Sequence, residues 1–520
     1  MKKKIVVFFL FLFASQTLLA KTYSNNIEFC SSNSYKFNIN QKDSLKINHI
    51  NIKVHDFRKW TVNGLKVLIG NFRWVSDKYK KRFKADLVVR YSNKVSCKYS
   101  ATIRHSGNQK DHVNLKNNNI SQSVDVHLNK GNIKGISKFK LLLNHTRGNY
   151  IDEIILTELL RELNYISPRT SFVETEINGV KTYRIFQEKP SNAMLKYHAR
   201  EEQQIFESDE RFVFRLAKTL PDNNLSNWSL GLVPLLEKGI NSMLARQVNK
   251  DLIIASNEKK INFYKTLSNL NYIYSIYSNT YKNNKNNYFY GDYTLNNNLL
   301  GFYNKANVEK LEIYNLLVSA ANGHHTLSAN NRRFYWNKNK NYFEPINYDN
   351  NSNIEAEYSK LIPPFTSETK DAFNKLNNLL NNLDISEFEQ QISIAGLNLK
   401  KETIKNKVNK IKSNLKKLKD IYFEYDHDFT DDDLEIKNAN NLLSKYFNSV
   451  AKVDNKIKIV KYSLNQNIFK VCEALNNCVI KKFTDKEIID LLVGRLVINK
   501  IEYQFFGIVD DKNRLLRINN

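Results

Sequence analysis

A period-two alternation of polar and apolar residues runs through short stretches between Ile47 and Phe186. The stretches are "KADLVVRYS", "YSATIRHSG", "SVDVHLNKG", "ISKFKLLLN", "TSFVETEING" and "KTYRIFQEK". Because Gly, Asn and Ser bound them, they predict β-strands with one buried face. The segment "YIDEIILTELLRELNYI" interrupts them, and its Ile155, Leu159 and Leu163 recur every fourth position, which predicts an amphipathic helix. We therefore expect a strand-rich region that carries one long helix.

The remainder of the chain has a different pattern. Residues 192–317 are more helical and contain Asn-rich loops, residues 385–422 predict one or two amphipathic helices, and the chain after about residue 442 returns to short strands with a helix near "DKEIIDLLVGRL". We find no internal repeat. The expected domains are a signal peptide (1–20), a strand-rich N-terminal lobe (21–190), a helical lobe with a metal-binding hairpin (191–425) and a C-terminal α/β extension (426–520).

The first twenty residues have the three-part layout of a secretory signal peptide. Lys2, Lys3 and Lys4 precede an apolar run from Ile5 to Ala14, and a short polar-to-small stretch then ends at Ala20. Cleavage near Ala20 is expected, with an uncleaved anchor as the alternative. No later segment is long and apolar enough to span a bilayer. We therefore expect an exported protein that is periplasmic, bound to the cell surface or extracellular, with no transmembrane segment after cleavage.

The four cysteines agree with export. "CEALNNC" closes a short local loop, which pairs Cys472 with Cys478 and, by elimination, Cys30 with Cys97. Buried free thiols are the alternative. No His lies at ligand spacing beside either pair, so a zinc site is not expected.

A formal charge of +27 favours anionic partners. The basic residues are spread along the chain among Asn residues, and they form no block typical of a nucleic-acid-binding arm. We therefore expect an exported protein substrate or an anionic envelope glycan as partner, and no specific nucleic acid.

The segment "RRFYWNKNKNYFEPINYD" predicts a β-hairpin from Arg332 to Tyr348, with a turn at "NKNKN". Because the ends of a hairpin meet, Asn330 and Asn331 should approach Asp349. An amide oxygen and a carboxylate suit Mg²⁺ or Mn²⁺, whose other ligands would be water and phosphate. The alternative is that these residues only cap turns.

Lys140 lies between Phe139 and Leu141 in an otherwise apolar strand, and the long helix follows it. A buried lysine requires a phosphate or carboxylate partner. On the helix, Glu158 is the glutamate that we most expect to point inwards, and Glu153 and Glu162 are less favoured candidates. The alternative is that Lys140 lies on an exposed face.

Six motifs occur in order between about residue 101 and residue 354: "IRHSGNQKDHV", "FKLLLNHTRG", "TELLRELNYISPRTSFV", "FQEK", "HHTLSANNRRFYW" and "PINYDNN". Together they resemble those of the CotH-type secretory-pathway kinases, an atypical protein kinase family. The resemblance implies an α+β, atypical protein-kinase-like fold with a strand-rich N-lobe and a more helical C-lobe, ATP with Mg²⁺ or Mn²⁺ as cofactors, and phosphate transfer to a secreted protein.

The resemblance also implies roles for individual residues. Lys140 is similar to the lysine that contacts the ATP phosphates, Asp349 to the metal-binding aspartate, and Asn331 to the asparagine of the catalytic loop. Arg104 precedes a Gly-containing loop, "RHSGN", that can cover phosphates. Glu188 is similar to the glutamate that ends the last strand of the N-lobe, where it would face Lys140 or the nucleotide.

The chain departs from the family in its catalytic loop. "AANGHHTLSANNR" carries Asn322 where the family has an aspartate, so a hydroxyl nucleophile loses its usual proton acceptor. His325 can replace it as a base, or can be an ordinary hydrogen-bonded loop histidine. The sequence therefore predicts either an altered kinase or a catalytically impaired relative that binds nucleotide, glycan or protein at the cell envelope. A metal-dependent nuclease or phosphatase is disfavoured, because no second carboxylate or His cluster lies near Asp349 in sequence.

Overall fold

The computed structural model describes residues 30, 45–70, 72, 75–116, 119–209, 244–255, 260–283, 295–329, 331–358, 365–424, 457–474, 477–510 and 515. The expected signal peptide and residues 284–294 of the expected Asn-rich loop lie outside these residues. The described residues form two compact units. The first draws on Met1–Thr146, Arg169–Lys189 and Glu389–Leu399, and the second on Arg147–Pro168, Pro190–Phe388 and Lys400–Asn520.

The strands are β1 (Ile47–Val54), β2 (Arg82–Tyr91), β3 (Ser96–His105), β4 (Val113–Lys116), β5 (Asn119–Gln122), β6 (Val124–Leu128), β7 (Lys138–Leu143), β8 (Thr170–Ile177), β9 (Val180–Glu188), β10 (Ile205–Ser208), β11 (Ala245–Gln247), β12 (Arg333–Asn337), β13 (Tyr342–Ile346), β14 (Ile457–Ser463), β15 (Ile468–Ala474), β16 (Asn477–Lys481), β17 (Val497–Ile498) and β18 (Ile501–Val509).

The α-helices are α1 (Phe57–Ile69), α2 (Tyr150–Glu162), α3 (Asn192–Tyr197), α4 (Lys250–Ile254), α5 (Lys260–Asn283), α6 (Asn297–Leu300), α7 (Lys305–Ala320), α8 (Thr369–Asn381), α9 (Ile385–Ile394), α10 (Lys401–Glu424) and α11 (Asp485–Leu492).

The first unit contains a closed barrel with the strand order β1-β2-β3-β6-β7-β9-β8. Neighbouring strands are antiparallel except at the closure, where β1 and β8 pair in parallel from His49 opposite Glu174 to Ile52 opposite Ile177. Alternate apolar side chains of these strands form one buried cluster. The six strands predicted from the alternating pattern are therefore confirmed.

The expected two-lobe, kinase-like fold is wrong. A closed seven-stranded barrel replaces the strand-rich N-lobe, and the rest of the described chain combines separate sheets with helices. The expectation failed because closure depends on the register between β1 and β8, and strand alternation carries no information about such a distant pairing. Helix α1, which was not predicted, also interrupts the strand-rich region and buries Trp60 and Val67.

The second unit contains two sheets. β11-β10-β12-β13 form a four-stranded sheet, and β16-β15-β14-β18-β17 form a five-stranded sheet. In the first of these, β12 and β13 pair antiparallel from Arg333 opposite Ile346 to Asn337 opposite Tyr342. The hairpin predicted from the aromatic runs is therefore confirmed, as are α9, α10 and α11 at the positions that the amphipathic patterns indicated.

Helix α2 begins where the sequence placed the long helix. The Asn149 side chain caps it by accepting a hydrogen bond from the Ile151 amide, and Leu156 and Leu159 lie among its fully buried residues. The capped end matters most for the site, because the first turn carries the buried acids Asp152 and Glu153.

Both predicted disulfides are present, Cys30 with Cys97 and Cys472 with Cys478, and the structure has no free cysteine. Two disulfides are consistent with an exported protein. Within the described ranges, no helix combines the length and the apolar character needed to cross a bilayer.

Candidate functional site

The two ends of the β12–β13 hairpin meet at His325. The His325 Nδ1 atom lies 2.9 Å from the Asp349 carbonyl oxygen, and the Nε2 atom lies 3.0 Å from the Asn331 side-chain nitrogen. The Asp349 carboxylate is 3.5 Å from Nδ1. Asn330 lies outside the described residues. The expectation that Asn331 approaches Asp349 therefore holds, with an imidazole between them.

The hydrogen bonds fix the tautomer of His325. A carbonyl oxygen can only accept, so Nδ1 carries the proton and Nε2 accepts from the Asn331 amide. Both ring nitrogens thus have partners, as expected of an ordinary loop histidine. The side chain is nevertheless 45% exposed, so a substrate can reach its edge.

The backbone after the hairpin is held in an unusual conformation. Asp349 has φ of 61° and Asn351 has φ of 52°, both in the left-handed region that Asp and Asn tolerate better than most residues. The first turn of α2 supports this conformation, because Glu153 accepts a hydrogen bond of 2.6 Å from the Asn351 amide. The Asn351 side chain accepts another from the Gly148 amide.

A buried guanidinium lies between two carboxylates at this point. Arg147 Nη1 is 3.0 Å from Asp349 Oδ1, and Arg147 Nε is 3.8 Å from Glu153 Oε1. The Arg147 side chain is 5% exposed and that of Glu153 is fully buried, whereas Asp349 is 21% exposed. Asp349 is therefore the acid that presents a carboxylate to solvent. We call Arg147, Glu153, His325, Asn331 and Asp349 the polar centre.

Two pKa values in the polar centre are raised. Burial raises the pKa of Glu153, Arg147 opposes this shift and the Asp349 charge adds to it. Burial lowers the pKa of His325, but the charge of Asp349 and its hydrogen bonds outweigh that effect, so the pKa lies above its usual value. The polar centre thus favours binding of a proton or another positive charge.

The side chains present are suited to a divalent cation that has few protein ligands. Asp349 and Asn331 offer a carboxylate and an amide oxygen, which are hard donors of the kind that Mg²⁺ and Mn²⁺ prefer. Within the described part of the chain, no three His, Cys, Asp or Glu side chains are grouped to hold a metal ion. A cation here would therefore complete its coordination with water and phosphate.

Asn322 holds the backbone that follows Asp349. Its side-chain amide donates a hydrogen bond of 3.1 Å to the Asn353 carbonyl oxygen, and its φ of 53° marks the turn after α7. In this arrangement the amide positions the loop. The catalytic role expected of Asn322 from the family resemblance remains a prediction.

The glutamate of α2 that reaches the polar centre is Glu153, whereas Glu158 forms an ion pair of 2.7 Å with Arg161. Glu153 was the weaker of these two candidates in the sequence. Arg147 was missed altogether. The available signal was its place in "HTRGN", two residues before the N-cap of a helix whose first turn is acidic.

In the first unit, Arg104 and Lys189 both bind Asp125. Their nitrogen atoms lie 2.8 Å and 2.9 Å from Asp125 Oδ2. Burial raises the pKa of Asp125, but the two cations outweigh it and lower the pKa to about 2. Lys140 is the neighbour of Asp125 across the β6–β7 pair. Lys140 is half-buried, on the opposite face of β7 from Phe139 in the barrel interior.

Glu188 forms a buried bidentate pair with Arg169. Arg169 donates to both carboxylate oxygens, over 2.9 Å from Nε and 2.7 Å from Nη2. Arg169 is therefore the principal counter-charge observed for Glu188. Because Arg104, Lys140 and Glu188 belong to the first unit, and Asn331 and Asp349 to the second, their convergence on one nucleotide remains a prediction.

Comparisons with known proteins add no family. No protein-family model matches the chain, and no curated protein matches it significantly. The function must therefore be argued from the residues of the two units themselves.

Proposed function

We propose that this protein is an exported phosphotransferase that transfers phosphate from ATP to a hydroxyl group of an exported protein, assisted by Mg²⁺ or Mn²⁺. The similarity to CotH-type kinases is part of the same proposal. The observation that carries it is the meeting of Asn331 and Asp349 at His325. The two disulfides support a location outside the cytoplasm, in the periplasm or at the cell surface.

Asp349 and Asn331 are the residues that would hold the cation, which neutralises phosphate charge when it is bound. Arg147 positions Asp349 through their 3.0 Å contact, and it balances the charge of buried Glu153 behind it. Such fixed charges lower the barrier to phosphate transfer mainly by positioning and electrostatic stabilisation.

His325 is the proposed base. The acceptor hydroxyl would first displace the Asn331 amide from His325 Nε2. As the hydroxyl oxygen bonds to the γ-phosphorus and the bond from phosphorus to the β–γ bridging oxygen breaks, the hydroxyl proton would move to Nε2 and ADP would leave. The Asp349 carboxylate, 3.5 Å from Nδ1, stabilises the imidazolium that forms.

The test is transfer of labelled phosphate from ATP in the presence of Mn²⁺, measured with the purified protein and an extract of exported proteins. We expect Asp349→Asn to lower the rate at least about 100-fold, which is the scale for loss of a transition-state charge contact. The matched control is Asp371→Asn, which changes a 57% exposed carboxylate in the same unit and should leave the rate unchanged.

A second variant isolates the base. His325→Gln should lower the rate about 100-fold and remove a pH dependence near neutrality. Transfer that survives Asp349→Asn would overturn the proposal, and transfer that survives His325→Gln would remove the base. Absence of transfer together with an unchanged melting temperature in ATP would instead favour a protein that only binds an anionic glycan or a protein partner.

A further inference from the structure

A basic groove lies in the first unit, between α1 and the start of β2. It encloses about 690 Å³, which is within the usual range of ligand-binding sites. Asp56 is the acid that lines it, against six basic side chains. These are Arg58, Lys59, Lys66, Lys81, Arg82 and Lys84.

The periodicity of the two elements produces this surface. On β2, Arg82 and Lys84 alternate with residues that face the barrel, so they point outwards. On α1, Arg58, Val62 and Lys66 recur every fourth position and are exposed, while Trp60 and Val67 are buried on the other side. The helix and the strand therefore each contribute a row of exposed cations to the lining of the groove.

Most of these cations lack a balancing acid. Of the six, and considering only residues that the structure describes, Lys59 alone has an ion-pair partner, Asp56 at 2.8 Å. Five positive charges without an ion-pair partner among the described residues therefore share one concave surface. Such a concentration of one sign repels itself and attracts a ligand that carries several negative charges.

We propose that this groove binds a linear acidic polysaccharide, that is, a sugar chain with repeated carboxylate or phosphate groups. The two rows of cations match repeated anions along a chain. Half-buried Phe83, in edge contact with Trp60 at 5.3 Å, also lines the groove, and its exposed edge offers a small apolar surface to a sugar ring. A concave site is less suited to a flat bilayer, and one aromatic residue is too few for the stacked bases of a single-stranded nucleic acid.

This site involves none of the polar-centre residues, so it goes beyond the proposed phosphate transfer. The probe is an oligogalacturonate of about ten sugars, titrated into the purified full chain at low and at physiological salt. We expect binding that weakens with salt, because screening shortens the reach of exposed charges to about 8 Å. The Asp349→Asn variant should bind the probe like the wild type, so the two proposals can fail separately.

The charge-reversal variant is Lys66→Glu/Lys84→Glu. Each reversal removes one attraction and adds one repulsion, so we expect binding at least about tenfold weaker. The matched control is Lys98→Glu/Lys181→Glu, which reverses two exposed lysines of the same unit outside the groove and should bind within about twofold of the wild type.

Titrations with three other polyanions identify the class of ligand. Polyglutamate of the same charge, single-stranded DNA and phosphatidylglycerol vesicles are titrated under the same conditions. Tighter binding of the oligogalacturonate supports the proposal. Equal or tighter binding of any of the other three overturns it, as does oligogalacturonate binding that is absent or that is unchanged by Lys66→Glu/Lys84→Glu.

Discussion

Replacing Arg147 with methionine should destabilise the second unit strongly. The Arg147 side chain is 5% exposed, and it lies 3.0 Å from the Asp349 carboxylate and 3.8 Å from that of Glu153. Methionine occupies a similar length but carries no charge. The variant therefore leaves a fully buried carboxylate at Glu153 without this guanidinium.

The expected loss is about 3 kcal/mol of unfolding free energy at pH 8. Removal of one partner from a buried ion pair costs about 3–5 kcal/mol. We take the lower end of this range because His325, 3.5 Å from the Asp349 carboxylate, still balances part of the charge of that carboxylate when Arg147 is absent. Arg147→Met/Glu153→Gln should recover most of the loss, because it removes the buried Glu153 carboxylate as well as the Arg147 guanidinium that balanced it.

The loss should depend on pH in a defined direction. The pKa of Glu153 is raised by burial, and Arg147 holds it down, so the variant raises that pKa further. A raised carboxyl pKa contributes stability below the unfolded-state value of 4.5 and loses it as pH rises through the folded-state value. Arg147→Met should therefore differ least from the wild type near pH 4 and most near pH 8.

The assay is urea unfolding followed by circular dichroism at both pH values. Lys305→Met is the matched control, because it removes a 72% exposed cation of an ion pair in the same unit and should cost less than about 1 kcal/mol. A loss below about 1 kcal/mol for Arg147→Met at pH 8, or a loss equal at both pH values, would refute this account of the polar centre.

Three further predictions concern stability. Burial lowers the pKa of His105 to about 4 from 6.5, so its stabilising contribution is present above pH 6.5 and is lost as pH falls towards 4. Over that interval the wild type should lose about 3 kcal/mol more unfolding free energy than His105→Gln, as measured by urea unfolding. An equal loss in the two proteins would contradict this. Removing the Cys30–Cys97 disulfide, whose cysteines are 67 residues apart, should cost about 4 kcal/mol by loop entropy. A loss no greater than that for the six-residue Cys472–Cys478 loop, about 2 kcal/mol, would argue against this entropic account. Glu344→Ala should cost at least about 3 kcal/mol in thermal or urea unfolding, because it leaves half-buried Arg200 and Lys310 without a carboxylate at 2.7 Å and 2.8 Å, and a smaller loss would show that those cations relax to solvent.

Local patterns were sufficient for the elements with a clear period or turn signal. The alternation in "KADLVVRYS" predicts β2 and the four-residue period in "YIDEIILTELLRELNYI" predicts α2, because both depend only on neighbouring residues. The β12–β13 hairpin, and with it the approach of Asn331 to Asp349, also follows from a short segment. The disulfide pairing followed because the short spacing of Cys472 and Cys478 left one other pair.

Long-range features could not be predicted in the same way. The parallel pairing of β1 with β8 closes the barrel across more than a hundred residues, and no local signal in "INHINIKV" specifies it. Helix α1 was missed because "FRKWTVNGLKVLI" mixes β-branched residues and a glycine into a weak helical pattern. Arg147 and Glu153 join the polar centre because the start of α2 packs against the segment after Asp349, about 200 residues further along the chain.

Titration of the purified protein with ATP and Mn²⁺ by calorimetry is the most direct test of the central claim, that the polar centre around Asp349 binds a nucleotide and its cation. We expect saturable ATP binding that depends on Mn²⁺, that is lost in Asp349→Asn and that is retained in Asp371→Asn. Binding that is absent in the wild type, or that is unchanged by Asp349→Asn, would contradict the claim.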